Sequence, residues 1–86
     1  MRLDKFLSVA RIFKSRSMAG DAASSSMVFL DGLPAKSSKE IKPGSIIEID
    51  TPLFYKKIEV LIIPKGNITK KDAESLFTLI DERKKD

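Results

Sequence analysis

The chain has 86 residues, 42% hydrophobic and 33% charged, the profile of one folded domain with a modest core. It has no cysteine and no histidine, which excludes disulfides, thiolate metal sites and the commonest general base. Sixteen Lys and Arg against twelve Asp and Glu leave a net charge of +4.

All of that excess lies in residues 2–16, RLDKFLSVARIFKSR, where Arg2, Lys5, Arg11, Lys14 and Arg16 face the single acid Asp4. Excess charge gathered at one end produces a field that attracts polyanions, and Arg suits phosphate because its planar fork donates two parallel hydrogen bonds. Leu3, Phe6, Leu7, Ala10 and Phe13 recur at the spacing of one helical face, so the segment is expected to be a helix buried on that side. At 100° per residue, Arg2 and Lys5 project onto one flank of the stripe, Asp4 and Arg11 onto the other.

A second short helix is expected from about Ser17 to Ser24, with Met18, Ala19, Ala22 and Ala23 inside and Ser15 or Ser17 as cap. From Met27 the pattern turns to β. MVFL is a compact strand, Asp31-Gly32 a tight turn, Leu33-Pro34 a short return and Lys42-Pro43-Gly44 a second turn. SIIEID and YKKIEVLII read as two further strands, the latter halted by Pro64, Gly66 and Asn67. A helix from about Lys70 to Lys84 is expected last, with Thr69 and Asp72 as its capping pair, Ala73, Leu76, Phe77 and Ile80 as its apolar face, and a frayed end.

Catalytic chemistry finds few candidates. Asp72, Glu74, Asp81 and Glu82 fall near the solvent side of the last helix, the serine cluster has no histidine to activate it, and no Gly-rich phosphate loop or metal spacing is present. Asp4 among five cations is expected to orient a neighbouring Arg, with no proton chemistry. Phe29 is expected in the core, whereas Tyr55 is a candidate for stacking on unpaired bases. No apolar run nears the roughly 20 residues of a membrane span, and the basic start meets Asp4 at once. A cytoplasmic, non-enzymatic protein is expected, with no cofactor or metal.

The order RLDKFL, Arg11, Ser15-Arg16, Ala19, VFLDG and KPG resembles the S4 RNA-binding domain over about residues 1–50. The resemblance implies an α+β S4 (alpha-L) fold: two short helices on a small β-ribbon, here with a C-terminal helix added. Residues 1–64 would form the S4 domain with its β extension, and residues 65–86 the C-terminal helix and charged tail of the same unit. Two positions depart from the family, which has Gly where Ser26 stands and Asn where Asp31 stands. A free-standing S4 chain of this length is similar to the RqcP family of ribosome-associated quality control, relatives of a small heat-shock S4 protein.

That likeness implies binding to the ribosomal RNA of large subunits that hold a peptidyl-tRNA, in support of a partner factor that tails the nascent chain. The chain would act as a monomer, away from membranes. Carried over by position, the RNA-binding residues are Arg2, Lys5, Arg11, Arg16 and Lys36, with Asp4 as orienting acid. Lys14, Ser15 and Lys39 join them, and Lys14, Lys39 and Lys42 add mainly field. The alternatives are a general S4 stress factor without a role in tailing, a module whose basic face meets an acidic protein, and a subunit lending RNA binding to a separate enzyme.

Overall fold

The computed structural model describes residues 1–66 and 68–85. Two helices, α1 (Leu3–Val9) and α2 (Arg16–Ser24), precede β1 (Val28–Leu30), β2 (Leu33–Pro34), β3 (Ile46–Asp50) and β4 (Phe54–Val60). A four-residue helix α3 (Lys70–Ala73) and a 3₁₀ turn (Glu74–Leu76) lead into β5 (Phe77–Lys84). The strands form one antiparallel sheet in the order β2-β1-β3-β4-β5.

The helical spacing of the first segment becomes the centre of the core. Leu3, Phe6 and Leu7 are completely buried and cluster with Val28, Ile47, Ile49 and Ile58 from the inner face of the sheet. Each such burial stabilises by about 1.5–3 kcal/mol relative to exposure. The helix stops at Val9, short of the apolar stripe. Phe13 reaches the core from the following loop and packs on Phe54, ring centroids 6.4 Å apart. In α2 the alanines Ala19, Ala22 and Ala23 face inward as expected, while Met18 points outward and is 48% exposed.

Both helices end in the same motif. After α1 the N–H of Ile12 bonds to Leu7 O and that of Arg11 to Ser8 O; after α2 the N–H of Met27 bonds to Ala22 O and that of Ser26 to Ala23 O. This Schellman pairing needs a left-handed residue at the second position past the helix, normally Gly. Here Arg11 (φ 64°) and Ser26 (φ 61°) adopt it despite their side chains. The departure at Ser26 therefore falls at a left-handed position, which strains a residue with a Cβ.

The turns follow their residues. Asp31 and Gly32 both have positive φ, 50° and 86°, and close the β1–β2 hairpin, while Asp31 Oδ1 accepts from Ile46 N at 3.0 Å. Gly44 at φ 92° turns the chain into β3. Along β3, Ile47 and Ile49 face the core and Glu48 faces out. On that outer face the Tyr55 hydroxyl donates to Glu48 Oε2 at 2.5 Å, and Arg83 lies 4.8 Å from the Tyr55 ring centroid. The hydrogen bond to Glu48, then desolvation and the Glu48 charge, push the phenol up to about 12.

Several expectations are corrected. The helix over Lys70–Lys84 is confined to its first turn, where Thr69 Oγ1 accepts from Asp72 N as its capping role requires. From Phe77 the chain is a strand, because β4 presents a seven-residue edge whose backbone groups must be paired and β-branched Thr78 and Ile80 suit that pairing. Phe77 and Leu79 then oppose Val60 and Ile58, and Ile80 becomes the extra residue of a bulge between Lys57 and Ile58. The charged end is no frayed tail, since Glu82, Arg83 and Lys84 pair with β4 and Lys85 N donates to Leu53 O. The fourth strand stops at Val60, short of Ile63, because the N–H groups of Leu61 and Ile62 turn to Leu76 O. Phe29 is half-buried on the outer face of the sheet, outside the core, as its alternation with Val28 and Leu30 dictates. Asn67, expected to help halt that strand, and the final Asp86 lie outside the described residues.

Ser26→Gly should stabilise the fold by about 1 kcal/mol, read as a higher urea midpoint at unchanged slope, because Gly carries no left-handed penalty. Tyr55 is the chain's single tyrosine, so ultraviolet absorbance reads it alone. It should titrate near pH 12, and Glu48→Gln should bring it back toward 10. Stability owed to this bond is present below about pH 10 and lost as pH rises toward 12.

Candidate nucleic-acid interface

The basic residues of the first segment are organised by Asp4. Its side chain is 8% exposed and sits in the first turn of α1. Oδ1 accepts from Arg2 Nε at 3.2 Å and from the Lys5 backbone N–H at 2.8 Å; Oδ2 accepts from Arg2 Nη2 at 3.3 Å and lies 3.3 Å from Arg16 Nε. Burial alone would raise the carboxyl. Hydrogen bonds from Arg16, the Lys5 N–H and Arg2, together with the Arg16 charge, outweigh it and hold Asp4 below the usual carboxylate range. A buried anion thus fixes two guanidinium groups, whose own side chains remain 46% and 49% exposed.

Arg2 reaches Asp4 from outside the helix. The projection onto opposite flanks assumed helical geometry at Arg2, but this residue is extended (φ −70°, ψ 149°) and its side chain swings across the helix start. Arg16 arrives from the first position of α2, where Ser15 Oγ accepts from Met18 N at 3.1 Å and fixes the helix start. Ser15 therefore has a capping task. Asp4 joins the starts of both helices, since its partner Arg2 is two residues away in sequence and its partner Arg16 twelve.

The loop between β2 and β3 closes the same end. Arg2 has no acceptor to cap α1, and the orphan N–H groups of Leu3 and Asp4 donate instead to Lys39 O (2.8 Å) and Ser37 O (3.1 Å). Lys36 and Lys39 are exposed on this loop and so join Arg2, Lys5 and Arg16 around the start of α1. Sequence reading missed Ser37 and Glu40, whose Oε2 accepts from the Met1 amino group at 2.5 Å. These contacts span more than thirty residues and leave no local signal.

Arg11 and Lys14 form a second group. They line a shallow cleft of about 170 Å³ with Ser8, Val9 and Ile68, beyond the far end of α1. Tyr55, considered as a stacking residue, has one ring face covered by Arg83. Among the described residues no cluster of three or more potential metal ligands occurs, and no helix is long and apolar enough to cross a membrane.

A small α+β fold in which two helix starts display arginines over a buried aspartate defines an S4-type RNA-binding domain. The sequence model of the S4 domain matches residues 1–47. The RQC P-site tRNA stabilizing factor of Bacillus subtilis is 35% identical over 85 residues, covering 98% of this chain and 96% of that protein. Among solved structures, the trimeric Heat Shock Protein 15 of Vibrio cholerae superposes with a TM-score of 0.85 at 30% identity, over 93% of this chain and 81% of that one. The solution structure of the hypothetical protein HP1423 gives 0.80 at 32% identity, over 96% of this chain and 100% of that one. The chain belongs to the S4-domain family, within the RqcP-like group whose relatives carry the name RQC P-site tRNA stabilizing factor.

Asp4→Asn should cost about 1–2 kcal/mol at neutral pH, because Asn accepts from two arginines less well than a carboxylate does. Asp4 is depressed in the folded state, so its contribution is complete above the ordinary pKa of about 3.9 and is lost as pH falls through the folded value. The gap between wild type and variant, measured by urea unfolding, should therefore shrink only below about pH 4. A gap that closes already between pH 7 and 5 would show that another group carries it.

Proposed function

We propose that this protein binds the large ribosomal subunit, contacting ribosomal RNA and a P-site peptidyl-tRNA, in the quality control of stalled translation. The observation that carries this reading is the pair Arg2 and Arg16, held on Asp4 with roughly half of each side chain open to solvent. Two pre-positioned guanidinium forks lose little freedom on meeting a phosphate, and the exposed Lys5, Lys36 and Lys39 supply sequence-independent attraction around them. Double-stranded RNA hides its bases in a groove too narrow for side chains, so a surface that reads phosphate positions suits it. The names of the relatives support tRNA as one of the ligands.

In the finer reading the protein steadies the peptidyl-tRNA while a partner factor extends the nascent chain at its C-terminus. It contributes binding and no chemistry, acts in the cytoplasm, and works as a monomer although the Vibrio neighbour is described as trimeric. The likeness to Heat Shock Protein 15 favours a second reading, a stress factor that binds such subunits without supporting tailing. Tail synthesis on stalled subunits, with and without the protein, separates the two.

Co-sedimentation with large subunits should require bound peptidyl-tRNA for full occupancy. Arg16→Ala should weaken binding by at least tenfold, while Lys57→Ala, on the outer face of the sheet opposite the helices, should change it less than twofold. Equal losses for both variants would reduce the site to general charge attraction, and no co-sedimentation of the wild type would overturn the assignment.

A further inference from the structure

The outer face of the sheet takes no part in RNA binding as proposed. Both helices pack on the inner face, and Phe29, Glu48, Tyr55 and Glu59 on the outer one remain half-exposed. The strand register sets the layout of this face. Phe29 stands opposite Pro34 on one side and Glu48 on the other, and Ile46 stands opposite Glu59. An apolar corner of Phe29, Pro34 and Ile46 thus borders two glutamates.

The charge of this face opposes that of the molecule. Its strand positions carry four acids, Glu48, Asp50, Glu59 and Asp81, against two cations, Lys57 and Arg83, a balance of −2. The remainder of the chain holds fourteen cations and eight acids, or +6. Two of the four acids are already paired, Asp81 with Arg83 at 3.1 Å and Asp50 with Lys85. Among the described residues Glu48 and Glu59 have no ion pair. Glu48 is pinned by the Tyr55 hydroxyl, and the Tyr55 ring is backed in turn by Arg83. A carboxylate already fixed in place loses little freedom when it meets a cation.

We propose that the outer face of the sheet docks a basic segment of a second protein. That segment sets lysine or arginine against Glu48 and Glu59, and an apolar side chain against Phe29 and Ile46. The sign of the face selects the partner: two unpaired carboxylates repel phosphate and attract cationic side chains. Apolar contact beside fixed polar groups is the make-up of a protein interface. The Asp4 cluster lies on the helical side, so a protein and an RNA can be held at once.

The test is a titration of the full chain, labelled for amide NMR, with a peptide of alternating lysine and leucine. A glutamate–leucine peptide of equal length is the control, and melting temperatures confirm that variants fold. The lysine peptide should move the signals of Phe29, Ile46, Glu48 and Glu59 and leave those of Asp4 and Arg16 in place; the control should move none. Glu59→Lys keeps the Tyr55–Glu48 bond and should weaken the peptide by about fivefold, the scale on which one exposed attraction becomes a repulsion. The same variant should not weaken affinity for ribosomal RNA. The proposal is overturned if the outer face does not respond, if both peptides act alike, or if Glu59→Lys binds the lysine peptide as wild type does. Outer-face signals that move with ribosomal RNA would assign the face to RNA, and signals that move on dilution of the protein alone would assign it to a second copy; either overturns the proposal. All of these outcomes leave the RNA-binding reading standing, since that reading rests on Arg2 and Arg16.

Discussion

The carboxylate of Asp4 is the interaction on which the basic end of the molecule depends. It is an anion inside the edge of a hydrophobic core, beside Leu3, Phe6 and Leu7, and it stays charged only because two guanidinium groups and a backbone N–H converge on it. Those partners come from three places: the extended residue before α1, the first turn of α1 and the first position of α2. One buried charge therefore ties the starts of the two helices together and fixes the aim of two arginines. Losing one partner would leave the anion under-compensated in a low-dielectric site, which is costlier than losing an exposed pair.

Around this centre, structural and binding tasks fall on neighbouring atoms of the same residues. The Lys39 backbone carbonyl caps α1 while its side chain extends into solvent, and Ser15 caps α2 so that Arg16 leaves the helix in a fixed direction. Surface charge is thus mounted on a scaffold whose hydrogen bonds are already closed, and among the described residues no buried side-chain polar atom lacks a partner. Flexible lysines need less support, and Lys5 and Lys36 are exposed with no ion pair among the described residues.

Much of this was legible in the sequence where the signal is local. The apolar stripe of α1, the alanine face of α2, the Asp31-Gly32 turn and the alternation of β3 each follow from periodicity or from residues suited to positive φ. The solitary acid among cations correctly pointed to an ion pair. The C-terminal element was misread because Ala73, Leu76, Phe77 and Ile80 fit a helical repeat, while what decided their conformation was the open edge of β4 some twenty residues earlier. The docking of the loop over residues 36–40 against α1 was invisible for the same reason: its hydrogen bonds use carbonyls, which every residue has. Ile68 was unreadable as a cleft residue since only the return of the chain brings it beside Arg11.

The bulge at Ile80 has a bearing on how the protein behaves in a crowded solution. A five-stranded sheet ends in two open edges, each a template on which another chain could add a strand. One edge, β2, is two residues long and ends in Pro34, which has no N–H to offer. The other, β5, is eight residues long and carries Leu79 and Ile80 about half exposed, the composition of a sticky strand. The inserted residue breaks the ladder at that apolar stretch and twists the strand, and Asp81 to Lys84 guard the remainder with charges of both signs. The irregular register of β5 thus makes its outer edge a poorer template for a further strand than a regular ladder would be.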